Sequence, residues 1–136
     1  MNSEHKIFDL ERKATLSTLW IFVLLNLIFR DLHELFRPEL LGEMMTGIVN
    51  GTVITEGLLL GFGMLLEIPI AMVLLSRVLS YSLNRWANII AGIVTLVIFV
   101  VFGGVNDLDD MFFLTVEVAA LIVIIVYAWK WPKHVS

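Results

Sequence analysis

Four long runs of apolar residues, separated by short polar segments, dominate the pattern along the chain. They cover roughly residues 15–36, 54–78, 86–104 and 111–131. A helix needs about 20 apolar residues to cross a hydrocarbon core about 30 Å thick, since each residue rises 1.5 Å. The runs are long and lack period-two alternation, which favours helices over strands. In lipid, a helix also satisfies its own backbone hydrogen bonds. The pattern therefore predicts four membrane-spanning helices.

The segments between the runs predict how these helices connect. Residues 37–52 (RPELLGEMMTGIVNGT) carry Pro, three Gly and an Asn-Gly pair, which are loop signals, and residues 39–45 within them predict a short interfacial helix. Residues 76–85 form a short polar connection and residues 103–110 (GGVNDLDD) a tight acidic turn. Helices joined by short loops pack as antiparallel neighbours. The predicted fold is all-α: an antiparallel up-down four-helix transmembrane bundle, in one membrane domain over residues 1–136.

Small residues within the runs suit close helix contacts. They are Gly57, Gly61 and Gly63 in the second run, and Ala87, Ala91 and Gly92 in the third. A glycine face of this kind also predicts a homo-oligomer.

Composition supports the membrane assignment and excludes several classes of chemistry. The chain is 59% hydrophobic and 16% charged, against about 25% charged in soluble domains. The absence of cysteine excludes disulfides, thiolate metal sites and cysteine nucleophiles. The polar N-terminal segment lacks a signal-peptide pattern, so we expect the first run to be retained as a span. Lys and Arg are few and scattered, unlike a nucleic-acid footprint.

The distribution of positive charge predicts the orientation. Seven of the nine Lys and Arg residues fall on one side of a four-span path: Lys6, Arg12, Lys13, Arg77, Arg85, Lys130 and Lys133. By the positive-inside rule that side is the cytoplasm, so both termini are expected there. All four tryptophans, Trp20, Trp86, Trp129 and Trp131, lie near the cytoplasmic ends of the runs, where we expect them to act as interfacial anchors.

Ionisable and polar residues within the runs are the candidate binding residues. Residues spaced by 4, 7 and 11 share one helix face, as Asn26, Arg30, His33 and Arg37 do. A charged side chain at the centre of a span costs about 2.5–3.5 kcal/mol on insertion scales, which favours an inward position. We therefore predict one polar pocket in the outer half of the bundle, with the mid-span Glu67 as its floor. Its candidate residues for binding a ligand or a proton are Asn26, Arg30, Asp31, His33, Glu34, Glu56, Glu67 and Glu117.

Several of these residues also have purely structural interpretations. Arg30 with Asp31 or Glu34 would make an ion pair that holds helices together. His33 would be a hydrogen-bonded anchor at the interface, and Glu56 would mark the end of a span. No metal site is predicted: the spacing of Asp107, Asp109 and Asp110 does not match an EF-hand, so a solvated turn is favoured.

Three functions remain open at this point. The leading hypothesis is a small integral membrane protein whose polar pocket binds or transports a small polar solute or cation, with or without proton coupling. An alternative is an accessory or structural subunit that binds a partner helix. A second alternative, a quinone-linked membrane oxidoreductase subunit, is less favoured. The runs hold a single His and the chain has no Glu-x-x-His motif, which argues against bis-His haem or a carboxylate-bridged metal pair. The sequence names no cofactor, and the expected partners are the lipid bilayer, a small ligand or proton, and further copies of the chain.

Three segments resemble a family of small bacterial four-span membrane proteins of unknown function. They are LSTLWIFVLLNLIFRDLHELFRPELL, EGLLLGFGMLLEIPIAMVLLSRVL and NRWANIIAGIVTL. The overall plan is also similar to the broader DoxX-like group of four-helix membrane proteins. The resemblance implies a multi-pass protein of the bacterial inner (cytoplasmic) membrane and a helical bundle. It implies no catalytic residues.

Overall fold

Five helices and a small hairpin make up the chain over residues 2–133, the part that this computed structural model describes. The elements are α1 (Ser3–Glu34), α2 (Pro38–Thr46), β1 (Ile48–Val49), β2 (Thr52–Val53), α3 (Glu56–Val78), α4 (Tyr81–Phe102) and α5 (Leu108–Trp129). Of the helices in this range, α1, α3, α4 and α5 are long and apolar enough to cross a membrane. The predicted all-α four-helix bundle is confirmed, and the protein is a multi-pass membrane protein.

The four long helices form a ring in chain order. Helix α1 packs against α3 and α5, and α4 packs against the same two helices from the opposite side. We call the end where α1 ends and α5 begins the distal end, and the other, which holds the start of α1, the proximal end. The core draws side chains from all four long helices, and its fully buried members include Leu16, Trp20, Val23, Leu121 and Ile124.

The helices extend beyond the apolar runs that predicted them. Helix α1 begins at Ser3 rather than near residue 15, and α4 begins at Tyr81 rather than near residue 86. Hydropathy marks only the lipid-facing part of a helix, whereas tertiary contacts stabilise the polar turns beyond it. In α1, Arg12 Nη1 donates a hydrogen bond to the Tyr127 carbonyl (3.0 Å), and its guanidinium lies 4.0 Å from the Tyr127 ring centre.

The segment between α1 and α3 is more ordered than its loop signals indicated. The short helix predicted over residues 39–45 is present as Pro38–Thr46, with Pro at its start and Gly47 in the left-handed region at its end (φ 74°). The Asn50-Gly51 pair then closes the β1–β2 hairpin, and both residues have positive φ (47° and 75°). Asn-Gly is the preferred pair for such a two-residue turn, because both positions need positive φ.

The small residues of α3 and α4 have different surroundings. At Gly92 in α4, an added Cβ would lie 2.7 Å from Cγ1 of Ile125 in α5, so the glycine permits close helix packing. At Gly61 and Gly63 in α3, an added Cβ would have no atom within 4 Å. Gly57 is exposed as well. The prediction of close contacts is correct for Gly92 and wrong for the α3 glycines within this bundle, because they lie on its outer surface.

Two of the four predicted interfacial tryptophans are core residues. Trp20 and Trp131 are 0% and 1% exposed, whereas Trp86 and Trp129 are 51% and 58% exposed. The buried indoles find acceptors inside the protein: Trp131 Nε1 donates to Asp9 Oδ1 at 2.9 Å. A buried indole N–H requires such a partner, and only the fold supplies it.

Candidate intramembrane polar site

An ion pair between Arg30 and Glu117 lies in the distal half of the bundle. The last turns of α1 direct Arg30 inward, and α5 presents Glu117 from the neighbouring helix. Arg30 Nη1 lies 3.1 Å from Glu117 Oε2, with the two side chains 11% and 0% exposed. Arg30 Nη2 also donates to the Gly104 carbonyl at 3.3 Å. The second carboxylate oxygen, Glu117 Oε1, is buried and has no hydrogen-bond partner among the described residues.

The turn after α4 can approach the Arg30 guanidinium closely because residue 103 is a glycine. The Gly103 amide donates to the Phe99 carbonyl (2.9 Å) and ends the helix. An added Cβ at Gly103 would collide with the Phe99 carbonyl oxygen and would lie 3.1 Å from Arg30 Nη2. Glycine therefore lets the chain turn closely enough for Gly104 to present its carbonyl to the guanidinium.

A cavity of about 200 Å³ adjoins the ion pair, between α1, α3 and α4. It is lined by Leu27, Arg30, Asp31, Phe62, Leu66, Ile98, Phe99, Phe102 and Gly103. Most of this wall is apolar, and its charged groups, Arg30 and Asp31, both come from α1. Phe62 and Phe102 are 41% and 62% exposed, so the cavity reaches the surface of the bundle.

Asp31 differs from its neighbour in having no fixed partner. The side chain is exposed, and no hydrogen bond or ion pair to it is found within residues 2–133. The acid that pairs with Arg30 is therefore Glu117 on another helix, and the predicted alternative pairs with Asp31 or Glu34 do not form.

The other polar residues of α1 do not converge on Arg30. Asn26 Nδ2 donates to a carbonyl one turn earlier in α1 (2.9 Å), and His33 Nδ1 lies 3.0 Å from a carbonyl in the same way. The His33 ring also lies 5.3 Å from the Phe113 ring, which supports its interpretation as an anchor. Glu34 Oε2 lies 3.8 Å from Arg37 Nη1, at the distal end.

Glu67 does not form the floor of this cavity. Its side chain is exposed on the outer surface of α3, as is that of Glu56. The buried face of α3 carries Pro69, Met72 and Ser76 instead. The placement predicted from sequence is wrong because the spacing of 11 residues shows that Glu56 and Glu67 share a face, but does not show which way it points. The part of the cavity wall that α3 contributes consists of Phe62 and Leu66, and both are apolar.

An arginine from the segment between α1 and α2 contacts the acidic turn at the distal end. Asp107 caps α5 by accepting from the Asp110 amide (3.2 Å), and it contacts Arg37 directly. Asp110 lies 3.6 Å from the same guanidinium. Carboxylate oxygens of Asp107, Asp109 and Asp110 come within 4.8 Å of one another. Since Arg37 already balances two of them, the geometry favours a helix cap and ion-pair cluster.

Sequence reasoning missed a second polar cluster in the proximal half. Asn88 Oδ1 accepts from Trp20 Nε1 (2.7 Å) and from Ser76 Oγ (3.1 Å), and Asn88 Nδ2 donates to Asn84 Oδ1 (2.7 Å). All four side chains are fully buried, so this cluster ties α1, α3 and α4 together. The available signal was the Asn84/Asn88 spacing of four, which places two amides on one helix face.

A further polar group lies on the same helix. Thr95 is 1% exposed, and its hydroxyl has no hydrogen-bond partner within the described range.

Comparison with known proteins assigns the chain to a family. A profile of a family of unknown function matches residues 5–136. The chain belongs to the DUF6326 family. No curated protein and no solved structure matches it. Membership in DUF6326 carries no activity with it, so the function of this member has to be argued from its own side chains.

Proposed function

We propose that this DUF6326 protein binds, or carries across the membrane, a small polar solute or cation at the Arg30–Glu117 pair, with Glu117 able to exchange a proton. One observation carries the proposal: Glu117 is completely buried, and one of its two carboxylate oxygens has no partner among the described residues. Buried acceptors in folded proteins are nearly always hydrogen-bonded, and an unpaired one calls for an explanation such as a bound ion, water or proton.

Stabilisation of the fold does not by itself explain why Arg30 and Glu117 form an ion pair inside the bundle. Buried ion pairs give little net stabilisation compared with well-packed apolar residues, because removing two charges from water is costly. Glu117 follows Leu108 by nine residues, which places it about 13 Å into the helix. Ionisable residues at such depth in membrane proteins commonly serve solute or proton binding. The adjoining cavity gives a ligand room to reach Arg30.

Electrical measurements on reconstituted protein test this proposal. Proteoliposomes on a solid-supported membrane would be exposed to jumps in pH, NaCl, KCl, NH₄Cl, sodium acetate and glycine. We expect a current with at least one of these probes, and its loss in Glu117→Gln, which removes the charge but keeps the shape of the side chain. Glu39→Gln is the matched control, since Glu39 is an exposed acid outside the site.

Circular dichroism of each variant checks that the helices remain intact. The proposal is refuted if none of these probes gives a current, or if Glu117→Gln gives the same current as the wild-type protein.

The exposure of Glu67 favours a second candidate function, an accessory or structural subunit that binds a partner helix. A carboxyl group near the middle of an apolar helix, facing away from its own bundle, is costly in lipid. Another helix with a hydrogen-bonding group would cover it, and the exposed glycines of α3 would permit close approach.

Association would be measured by single-molecule photobleaching and by co-purification from membranes, for the wild-type protein and for Glu67→Leu. Loss of a partner or of a second copy in Glu67→Leu supports this candidate, and an unchanged monomer in both proteins contradicts it.

The remaining parts of the proposal concern location and class. We propose a bacterial inner membrane, with both termini in the cytoplasm, on the strength of the seven Lys and Arg residues at the proximal side of the spans. Accessibility labelling of single cysteines placed at residues 2 and 51 tests this orientation. The loosely DoxX-like plan stays a prediction, and a quinone-linked oxidoreductase subunit is the least favoured function.

A further inference from the structure

The cavity beside the ion pair has features that select a class of ligand. Its charged groups are Arg30 and Asp31, and Arg30 is ion-paired with Glu117 at 3.1 Å. Arg30 is balanced by Glu117, whereas Asp31 has no ion-pair partner within residues 2–133. When both acids are ionised, the three groups together carry one net negative charge, so the site then favours a cation over an anion.

The walls of the cavity distinguish an organic cation from an inorganic one. A metal ion requires several oxygen ligands, about six to eight for Ca²⁺, and the cavity wall offers a single carboxylate. The rest of the wall is apolar and includes three phenyl rings, Phe62, Phe99 and Phe102. Aromatic faces attract cations, and recognition of quaternary ammonium groups is the best-known use of this interaction.

We propose that this cavity binds a small organic ammonium ion, with Asp31 as its counter-ion and the three phenyl rings around its alkyl groups. This inference rests on the proposed function and names the ligand class for the same site. The volume, about 200 Å³, limits the size of the ion. A protein cavity of about 150 Å³ holds benzene, so an ion with four methyl groups fits, whereas one with four butyl groups does not.

An ammonium group of this kind has two sources: a free solute and the headgroup of a zwitterionic lipid. Both would place the same positive charge at Asp31. The experiment therefore compares two membranes, one made of phosphatidylglycerol, which has no ammonium group, and one made of phosphatidylcholine, which carries a quaternary ammonium.

The test is calorimetric titration of the full chain in nanodiscs with tetramethylammonium chloride. We expect saturable binding in phosphatidylglycerol and at least a tenfold weaker affinity in Asp31→Asn, with Glu39→Gln as the matched loss of one exposed carboxylate. Phe102→Leu should weaken binding about threefold. Phe112→Leu changes an exposed ring outside the cavity and should leave the affinity unchanged. Tetrabutylammonium and neutral tert-butanol should not bind.

The two membranes then separate the sources. Equal affinity in phosphatidylcholine supports a free solute as the natural ligand, and a weakened affinity there supports a competing lipid headgroup. No saturable binding in phosphatidylglycerol, or equal binding by Asp31→Asn and wild-type protein, overturns the inference. If tetramethylammonium fails while the currents still depend on Glu117, only the ammonium assignment is wrong. If neither tetramethylammonium binding nor Glu117-dependent currents are observed, the ammonium assignment and the proposed function are both wrong.

Discussion

Removing Arg30 is expected to destabilise the bundle more than removing the charge of Glu117, although the two groups form one ion pair. Arg30 lies four residues before the end of α1, a rise of about 6 Å, and a long arginine side chain can extend that far toward the distal surface. Glu117 is short and lies about 13 Å from the start of α5. If its partner is removed, the Arg30 guanidinium can therefore reach water at the distal surface, whereas the Glu117 carboxylate cannot.

The expected magnitudes follow from this asymmetry. In Arg30→Met, a fully buried carboxylate loses its charged partner, and breaking a buried pair in this way costs about 3–5 kcal/mol. In Glu117→Gln, the guanidinium keeps the Gly104 carbonyl, gains the amide oxygen and can move outward, so we expect a cost of about 1–2 kcal/mol. The double variant removes both charges and should be more stable than Arg30→Met alone.

Equilibrium unfolding in mixed detergent and SDS micelles measures these differences, with tryptophan fluorescence as the signal. Trp20 is fully buried, and its emission therefore changes when the bundle opens. The reasoning is refuted if Arg30→Met costs no more than Glu117→Gln, or if the double variant is less stable than Arg30→Met.

Four further substitutions test the packing by the same unfolding measurement. Gly92→Val would push a side chain into α5 and should lower the free energy of unfolding by about 1–3 kcal/mol. Gly61→Val lies on the open surface of α3 and should change it by less than about 0.5 kcal/mol. Equal effects would contradict the assigned helix faces. Asn88→Leu leaves a buried indole N–H without its acceptor and should cost about 1–3 kcal/mol, and an unchanged midpoint would show that the proximal cluster is not stabilising. Glu67→Leu should not lower the free energy of unfolding, because the residue is exposed and no hydrogen bond or ion pair of its side chain is found over residues 2–133. A loss above about 1 kcal/mol would contradict this exposed position.

The exposed position of Glu67 separates this acid from the cavity beside Arg30. The sequence singled out this acid for its depth, and the structure keeps that depth while turning the side chain away from the cavity. These charged groups therefore lie in two different places. Arg30, Asp31 and Glu117 lie at the distal cavity, and Glu67 faces the surroundings of the bundle. We propose a small ligand at the first place and another helix at the second.

The number of spans and the class of fold could be read from the sequence because both depend on local properties. The length of an apolar run decides whether a helix can cross a bilayer, and short connections make neighbouring helices antiparallel. The short helix α2 was also predictable, with Pro38 at its start. The helix ends were less accurate, since Arg12 and Tyr127 extend the contact beyond the lipid-facing segment.

The composition of the site was only partly predictable. The sequence showed that Arg30 and Glu117 lie at similar depth, which follows from counting residues along antiparallel helices. It did not show that Glu117 rather than Glu67 meets Arg30, nor that Asn84, Asn88 and Ser76 form a buried cluster with Trp20. Each of these contacts joins side chains from different helices, so it depends on how the helices are rotated against one another.

By itself, therefore, the sequence determined a four-span helical membrane protein with charged groups at depth, because chain length, hydropathy and residue spacing are properties of one segment at a time. The tertiary structure decided which of those charges point inward. Rotation of a helix about its axis is set by packing: Pro69, Met72 and Ser76 fill the core side of α3, and Glu67 is consequently turned outward. Arg30 and Glu117 meet because α1 and α5 pack side by side with those two residues facing each other.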